Sequence, residues 1–187
     1  TVTAGLVYFM IEETKPAPHP DAPEQTWMQT FRGYGEVLRD ASFVLFIGAT
    51  VLMTTVYMQM NTSLSVYLRD THGVPEQGFG YIMSLNAGMV VLLQFSVTRW
   101  VARYRPLSVM AWGTLLYAVG FGMYGLVSSY ILFMVAMVII TIGEMMNAPT
   151  GQALVARFAP EDMRGRYMAV YGFTWILPSA VGPLLAG

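Results

Sequence analysis

The sequence contains no cysteine and very little charge. Only 11% of its 187 residues are Asp, Glu, Lys or Arg, whereas a soluble domain carries about a quarter. Without cysteine, this chain has no disulfide framework and no thiolate metal site. The net charge of −1 gives no sign of a nucleic-acid partner. With 55% hydrophobic residues, the composition is that of a membrane protein.

Charge is also absent from long stretches, and this pattern predicts membrane-spanning helices. Residues 41–68, 77–98 and 167–187 contain no charged side chain, and residues 106–156 contain only Glu144. About 20 apolar residues in a helix cross the hydrocarbon core of a bilayer. We therefore predict five spans in an all-α polytopic bundle: residues 41–68, 78–98, 106–126, 130–157, and 166 to the end of the chain.

The first 40 residues have a different character. Residues 1–11 are typical of the end of an apolar helix, and residues 12–40 form a polar linker. The three prolines in residues 15–20 prevent the helix from continuing. Residues 27–38 are predicted to form a short interfacial helix. Because the chain starts with Thr and its last residues lie within an apolar run, we expect a piece of a longer protein, cut at both ends.

Basic residues fall almost entirely on one side if the loops alternate across the membrane. The other side receives only Arg69. The first side receives nine residues, Lys15, Arg32, Arg39, Arg99, Arg103, Arg105, Arg157, Arg164 and Arg166. Basic residues concentrate in cytoplasmic loops, so the linker and the 99–105 and 157–166 loops are predicted to be cytoplasmic. We expect an integral protein of the plasma membrane, which in a bacterium is the inner membrane.

Polar side chains inside the predicted spans form a candidate pathway for substrate or protons. Thr50, Thr54, Tyr57, Asn61 and Ser65 recur at steps of three and four residues, which places them on one helical face. Gln59 lies on a second face, and span two adds Asn86 and Gln94. An unpaired amide is costly in hydrocarbon. These groups therefore face either hydrogen-bonding helices or a water-filled cavity.

Glu144 is the strongest functional candidate. It lies near the middle of span four, with Thr141 three residues before it and Asn147 three residues after it. An ionisable residue at membrane depth indicates a functional site, and a buried carboxyl suits a proton carrier. The alternative is a protonated side chain that donates one structural hydrogen bond.

Glycine and proline mark further features of the spans. Pro149 interrupts span four, and Pro178 and Pro183 interrupt span five. Each proline removes a backbone donor, and transporter sites use such helix breaks, although a kink without functional consequence is the alternative. Pairs of small residues predict close helix packing: Gly113 with Gly120, Ala118 with Gly122, and Gly182 with Ala186.

Several segments resemble the Major Facilitator Superfamily, specifically its drug–proton antiporters. Residues 143–149 and 159–168 resemble the tenth helix and the loop after it, and residues 180–187 resemble the eleventh helix. The pair Gly182 and Pro183 is similar to the glycine-proline motif of the antiporters' fifth helix. Residues 99–105 resemble the basic cytoplasmic loop of the second half, but lack its usual Asp and Gly.

The resemblance implies an arrangement for the whole chain. Residues 1–11 would end helix six, residues 12–40 would link the two halves, and residues 41–187 would form helices seven to eleven, truncated before helix twelve. It also implies alternating access around a midplane site, lined here by the polar face of span one, Glu144 and Asn147. Arg99, Arg103, Arg164 and Arg166 would belong to cytoplasmic gating loops.

The function expected from the sequence is proton-coupled efflux of small amphipathic compounds. Uptake or exchange of a defined metabolite and a non-transporting membrane scaffold are the alternatives. The expected partners are a small-molecule substrate, protons, the lipid bilayer and the N-terminal half of the same polypeptide, with no nucleic acid and no cofactor. We do not expect an enzyme, because His19 and His72 lie in loops and no nucleophile–base pair can be assembled.

Overall fold

The computed structural model describes the backbone of residues 27–185 and the side chains of residues 32–181. The predicted helix end at residues 1–11, the start of the linker and the side chain of Pro183 lie outside these described residues. The helices that follow Gly33 pack as one unit.

The described chain is a series of helices. They are α1 (Trp27–Val37), α2 (Ala41–Thr62), α3 (Leu64–His72), α4 (Glu76–Val101), α5 (Pro106–Leu126), α6 (Tyr130–Phe158) and α7 (Arg164–Leu185), with a short 3-10 helix at Glu161–Met163 before α7. Residues 27–185 contain no strand. The predicted all-α class is therefore confirmed.

Four of these helices, α2, α4, α5 and α6, are long and apolar enough to cross a membrane. They correspond to the first four predicted spans. The fifth predicted span is also helical, over the 22 residues of α7. It is not among those four helices, so its crossing of the membrane stays a prediction.

The first predicted span differs from the structure, because its helix breaks at Ser63. The Ser63 hydroxyl donates to the side-chain oxygen of Gln59, and the Thr62 hydroxyl donates to the Met58 carbonyl at 3.1 Å. The interruption is slight: Ser63 keeps helical dihedral angles, its amide bonds to the Gln59 carbonyl at 3.0 Å, and its carbonyl accepts from the Tyr67 amide at 2.9 Å. Ser65 belongs to α3, the helix that follows.

Helix α6 is the centre of the bundle. It packs against α4, α5 and α7, and α2 packs along α7. Asp40 anchors the start of α2, because its Oδ1 accepts a hydrogen bond from the Phe43 amide at 3.1 Å. Its other oxygen accepts from the Tyr167 hydroxyl at 3.2 Å. The cap thus ties the first turn of α2 to α7.

Glycines allow α5 and α6 to approach closely. A Cβ added to Gly143 would lie 2.7 Å from the Gly113 carbonyl oxygen, and one added to Gly120 would lie 3.0 Å from the Ala136 carbonyl oxygen. Gly122, which the sequence paired with Ala118, faces open space instead. The contact between α5 and α6 therefore uses the Gly113 and Gly120 face of α5.

Two apolar clusters lie at opposite ends of the bundle. One includes Met60, Ile82, Phe133, Met137 and Ile140, where α2, α4 and α6 meet. The other joins the starts of α2 and α7 to the end of α6 through Phe43, Val155, Tyr167 and Tyr171. Along α6, Glu144 lies between these two clusters.

Candidate functional site

Glu144 is the middle residue of the 29-residue helix α6, and its side chain is half-buried. The Tyr57 hydroxyl on α2 donates to its Oε1 at 2.8 Å. The Asn86 amide on α4 donates to its Oε2 at 2.8 Å. Three helices that are separate in sequence therefore converge on one carboxyl group.

The hydrogen bonds around Asn86 fix the orientation of its amide. The Thr141 hydroxyl donates its hydrogen to the Met137 carbonyl at 2.7 Å. Its oxygen can then only accept, and it accepts from the Asn86 Nδ2 at 3.0 Å. Because the amide nitrogen carries two hydrogens, one bonds to Thr141 and the other bonds to Glu144.

This arrangement suits an ionised carboxylate, which only accepts hydrogen bonds. A proton on Glu144 turns one carboxyl oxygen into a donor. Asn86 cannot accept from it, because its nitrogen only donates. The Tyr57 hydroxyl can rotate and accept. Protonation at Oε1 can therefore reverse the hydrogen bond that joins α2 to α6.

A small cavity lies beside the carboxyl group. Its volume is about 30 Å³, and Tyr57, Tyr117, Glu144, Asn147 and Trp175 contribute to its lining. The Tyr57 ring lies against the Tyr117 ring at 5.8 Å between centroids, and against the Trp175 ring at 6.0 Å. A water needs about 10–15 Å³, so this cavity has room for a water or a small ion.

Asn147 lines the same cavity but bonds to the backbone of α5. In the amide orientation that satisfies both of its polar atoms, the nitrogen donates to the Met110 carbonyl at 3.1 Å and the oxygen accepts from the Thr114 amide at 3.3 Å. The sequence placed it on one face with Thr141 and Glu144. Steps of three residues fall short of the 3.6-residue turn by about 60° each. Asn147 is therefore rotated away from Thr141 and toward α5.

The remaining polar candidates have other partners or positions. Gln94 donates to the Met145 carbonyl at 3.1 Å and links α4 to α6 away from the carboxyl group. Gln59 accepts from Ser63, the residue that follows the end of its own helix. Asn61 is exposed on this chain. The described contacts do not bring these three residues to Glu144.

The predicted gating arginines lie at or just beyond the end of α4 and at the start of α7, and the predicted helix-break prolines lie within α6 and α7. Arg99, Arg103 and Arg164 are exposed. Arg166 is half-buried, and its guanidinium occupies the space that a Cβ on Gly33 would need. Pro149 lies inside α6, Pro178 is buried in α7, and the backbone of Pro183 is helical. The role of these residues stays a prediction.

Sequence reasoning did not select Tyr117 and Trp175 as site residues. Both pack against Tyr57 and line the cavity. They lie on α5 and α7, and no spacing in the sequence connects them to α2 or to each other. Only the way the helices pack shows that they share a site.

Four helices are long and apolar enough to cross a membrane, which defines an integral membrane protein. Its acidic site lies in the middle of α6, where Glu144 accepts hydrogen bonds from two neighbouring helices. The chain belongs to the Major Facilitator Superfamily, whose profile matches residues 1–187. The family resemblance noted in the sequence is thereby confirmed.

Known proteins of this family are similar to the chain. A protein of Planococcus maritimus named Na(+), Li(+), K(+)/H(+) antiporter is 28% identical over 82% of this chain and 39% of its own length. The MFS-type transporter YttB of Bacillus subtilis (strain 168) is 25% identical over 87% of this chain and 41% of its own length. The MFS-type transporter YdeE of Escherichia coli (strain K12) is 31% identical over 60% of this chain and 28% of its own length. The chain spans less than half of the length of these relatives.

Proposed function

We propose that the chain forms part of a secondary transporter that exchanges protons for a monovalent cation at Glu144. The observation that carries this proposal is the carboxyl group of Glu144, held by Tyr57 and Asn86 beside an ion-sized cavity. The similarity to the Planococcus maritimus antiporter supports a cation as the exchanged species.

Exchange follows from the chemistry of one carboxylate. Among residues 32–181, Glu144 is the only one with a carboxyl group that lines the cavity, and it can balance one positive charge. A proton and a metal cation therefore compete for it, because each disfavours binding of the other. If the site opens alternately to the two sides of the membrane, each cycle carries a cation one way and a proton the other way.

Efflux of small amphipathic compounds is a second candidate. The rings of Tyr57, Tyr117 and Trp175 and the side chains of Met53 and Met110 line the cavity. Aromatic and methionine side chains suit adaptable apolar ligands. In this function the half of the transporter outside the chain would have to enlarge the cavity, because 30 Å³ does not hold such a compound.

Proton flux in proteoliposomes distinguishes the two candidates. The full-length protein is reconstituted with a pH-sensitive dye inside, and the lumen is made acidic. Addition of Na⁺, Li⁺ or K⁺ outside, but not of choline, is expected to raise the internal pH. If only a lipophilic quaternary ammonium compound raises the internal pH, the result would reject cation exchange and support efflux of amphipathic compounds. No rise with any of these compounds would reject both.

A further inference from the structure

A second, larger cavity lies on another side of the bundle. It is an open groove of about 470 Å³, formed by the end of α4, the first half of α5 and the middle of α6. Its lining is almost entirely apolar, and it includes Trp100, Tyr104, Trp112, Leu116, Ile142 and Met146.

This groove is separate from the Glu144 site. Ile142 and Met146 contribute the α6 wall of the groove. Each lies two residues from Glu144, and two residues correspond to a rotation of about 200° around a helix. The groove and the carboxyl group therefore occupy opposite faces of α6.

Aromatic side chains surround the mouth of the groove. The rings of Trp100 and Tyr104 are in edge contact at 5.4 Å between centroids. Both side chains are 54% exposed, and Trp112 is 64% exposed. Tryptophan and tyrosine concentrate where the hydrocarbon meets the lipid headgroups, because their rings combine an apolar body with a polar edge. These residues indicate that the mouth of the groove lies at the headgroup level.

Unneutralised positive charge adjoins this aromatic mouth. Arg99, Arg103 and Arg105 are exposed. None of the three forms an ion pair with an acidic side chain within residues 32–181. The sequence has no Asp or Glu between Glu76 and Glu144, so it offers these arginines no nearby acidic residue along the chain. A ligand with a negative charge would complement this cluster.

We propose that the groove binds an acyl chain of an anionic phospholipid, whose phosphate is held by the arginines of the 99–105 loop. The apolar lining suits the hydrocarbon chain, and its position at the predicted end of two membrane spans makes lipid the available ligand. Guanidinium groups bind phosphate oxygens in pairs and strongly. Each basic residue near an anionic membrane surface strengthens binding by about fivefold.

Native mass spectrometry of the full-length protein tests the site. Phosphatidylglycerol and phosphatidylcholine with the same acyl chains are titrated separately into the detergent-solubilised protein. We expect phosphatidylglycerol to bind at least about tenfold more tightly. The double variant Arg103→Gln/Arg105→Gln should weaken phosphatidylglycerol binding by roughly 25-fold. It should weaken phosphatidylcholine binding much less, because the choline ammonium already offsets the phosphate charge. Trp112→Ala should weaken binding of both lipids equally, because it removes part of the groove wall.

Two matched controls make the result specific. Arg69→Gln removes an exposed arginine from the last turn of α3, and Phe173→Ala removes an exposed aromatic ring from α7. Neither should change the affinity for phosphatidylglycerol. Equal affinity for the two lipids, or equal effects of the double variant and Arg69→Gln, would overturn the headgroup assignment. Equal effects of Trp112→Ala and Phe173→Ala would overturn the assignment of the groove as the acyl-chain site. Displacement of the lipid by inorganic phosphate would overturn it as well.

Discussion

Tyr57 and Glu144 are 87 positions apart in the sequence, yet the tyrosine hydroxyl donates a hydrogen bond of 2.8 Å to the carboxyl oxygen. This bond joins α2 to α6 at the point where α6 carries its only charged side chain before Arg157. A change in the charge of Glu144 therefore alters a direct contact between α2 and α6. In the proposed exchange, this bond would link the protonation of Glu144 to the packing of these two helices.

Removal of the Tyr57 hydroxyl should weaken cation exchange without removing the carboxyl group. Tyr57→Phe keeps the ring contacts with Tyr117 and Trp175 and deletes one hydrogen bond to a charged acceptor. Such a bond is worth about 1.5–3 kcal/mol. We expect the rate of cation-driven proton exit from proteoliposomes at subsaturating cation to fall by roughly tenfold or more.

Tyr124→Phe is the matched control for that variant. It also deletes a buried tyrosine hydroxyl, which donates to the Phe133 carbonyl at 3.0 Å. This hydroxyl does not bond to Glu144. This change should lower the melting temperature but leave the rate of exchange unaltered. Equal losses of exchange in the two variants would show that the Tyr57 hydroxyl has no specific role.

The Asn86 amide should matter for transport more than the equally polar Gln94. Asn86→Leu removes the donor to Glu144, whereas Gln94→Leu removes a donor to the Met145 carbonyl on the same helix. Both changes delete a contact between α4 and α6, so both should reduce thermal stability. Only Asn86→Leu should lower cation affinity, by roughly tenfold, measured as the concentration that gives half-maximal proton exit. Equal cation affinities of the Asn86→Leu and Gln94→Leu variants would contradict a specific role for the hydrogen bond from Asn86 to Glu144.

The contact between Gly143 of α6 and Gly113 of α5 should be sensitive to an added methyl group. In Gly143→Ala the new Cβ would lie 2.7 Å from the Gly113 carbonyl oxygen, which is backbone and cannot rotate away. Overpacking of this kind costs about 1–3 kcal/mol. We expect a clear fall in the melting temperature of the detergent-solubilised protein. Gly122→Ala, which meets open space, should leave the melting temperature unchanged or raise it slightly.

The predicted sidedness of the loops can be tested by cysteine labelling, since this chain contains no cysteine of its own. In a cysteine-free full-length protein, cysteines at Thr71 and Ser129 should react with a membrane-impermeant maleimide added to intact cells, and one at Ala102 should not. All three positions are exposed. Labelling at Ala102 from outside would reverse the orientation.

The one basic residue assigned to the outer side has an acidic partner in the structure. This residue, Arg69, bonds through its Nε to Asp70 at 2.8 Å. The hydrogen bond from this arginine lowers the pKa of Asp70, so the carboxylate stays ionised and offsets the charge of Arg69. No such acidic partner was found for the arginines of the 99–105 loop within residues 32–181.

The sequence predicted the helices well because apolar length and charged ends define membrane spans. Span three was predicted over the same residues that form α5, from Pro106 to Leu126. Span one was predicted as one helix, and its break at Ser63 was missed. That break is a single residue with helical dihedral angles, and the hydropathy pattern carries no signal for so small a change.

The candidate site was predicted only in part because its members come from different helices. Glu144, Tyr57 and Asn86 were selected one helix at a time, and the structure brings them together. Asn61 shares a helical face with Tyr57 in the sequence, but it is exposed and does not reach the carboxyl group. Tyr117 and Trp175 were missed, because packing of α5 and α7 against Tyr57 is a tertiary property.

Substitution of the central carboxyl group tests the account most directly. Glu144→Gln keeps the size of the side chain and an oxygen that accepts from Tyr57, but it can bind neither a proton nor a cation by charge. Glu76→Gln, an exposed position at the start of α4, serves as the control.

The measurement is cation-driven proton exit from proteoliposomes that contain equal amounts of folded full-length protein. We predict that Glu144→Gln reduces the rate to that of empty liposomes, while Glu76→Gln matches the unsubstituted protein. Proton exit at the unsubstituted rate in Glu144→Gln would contradict the account and leave the Glu144 carboxyl group with a structural role only.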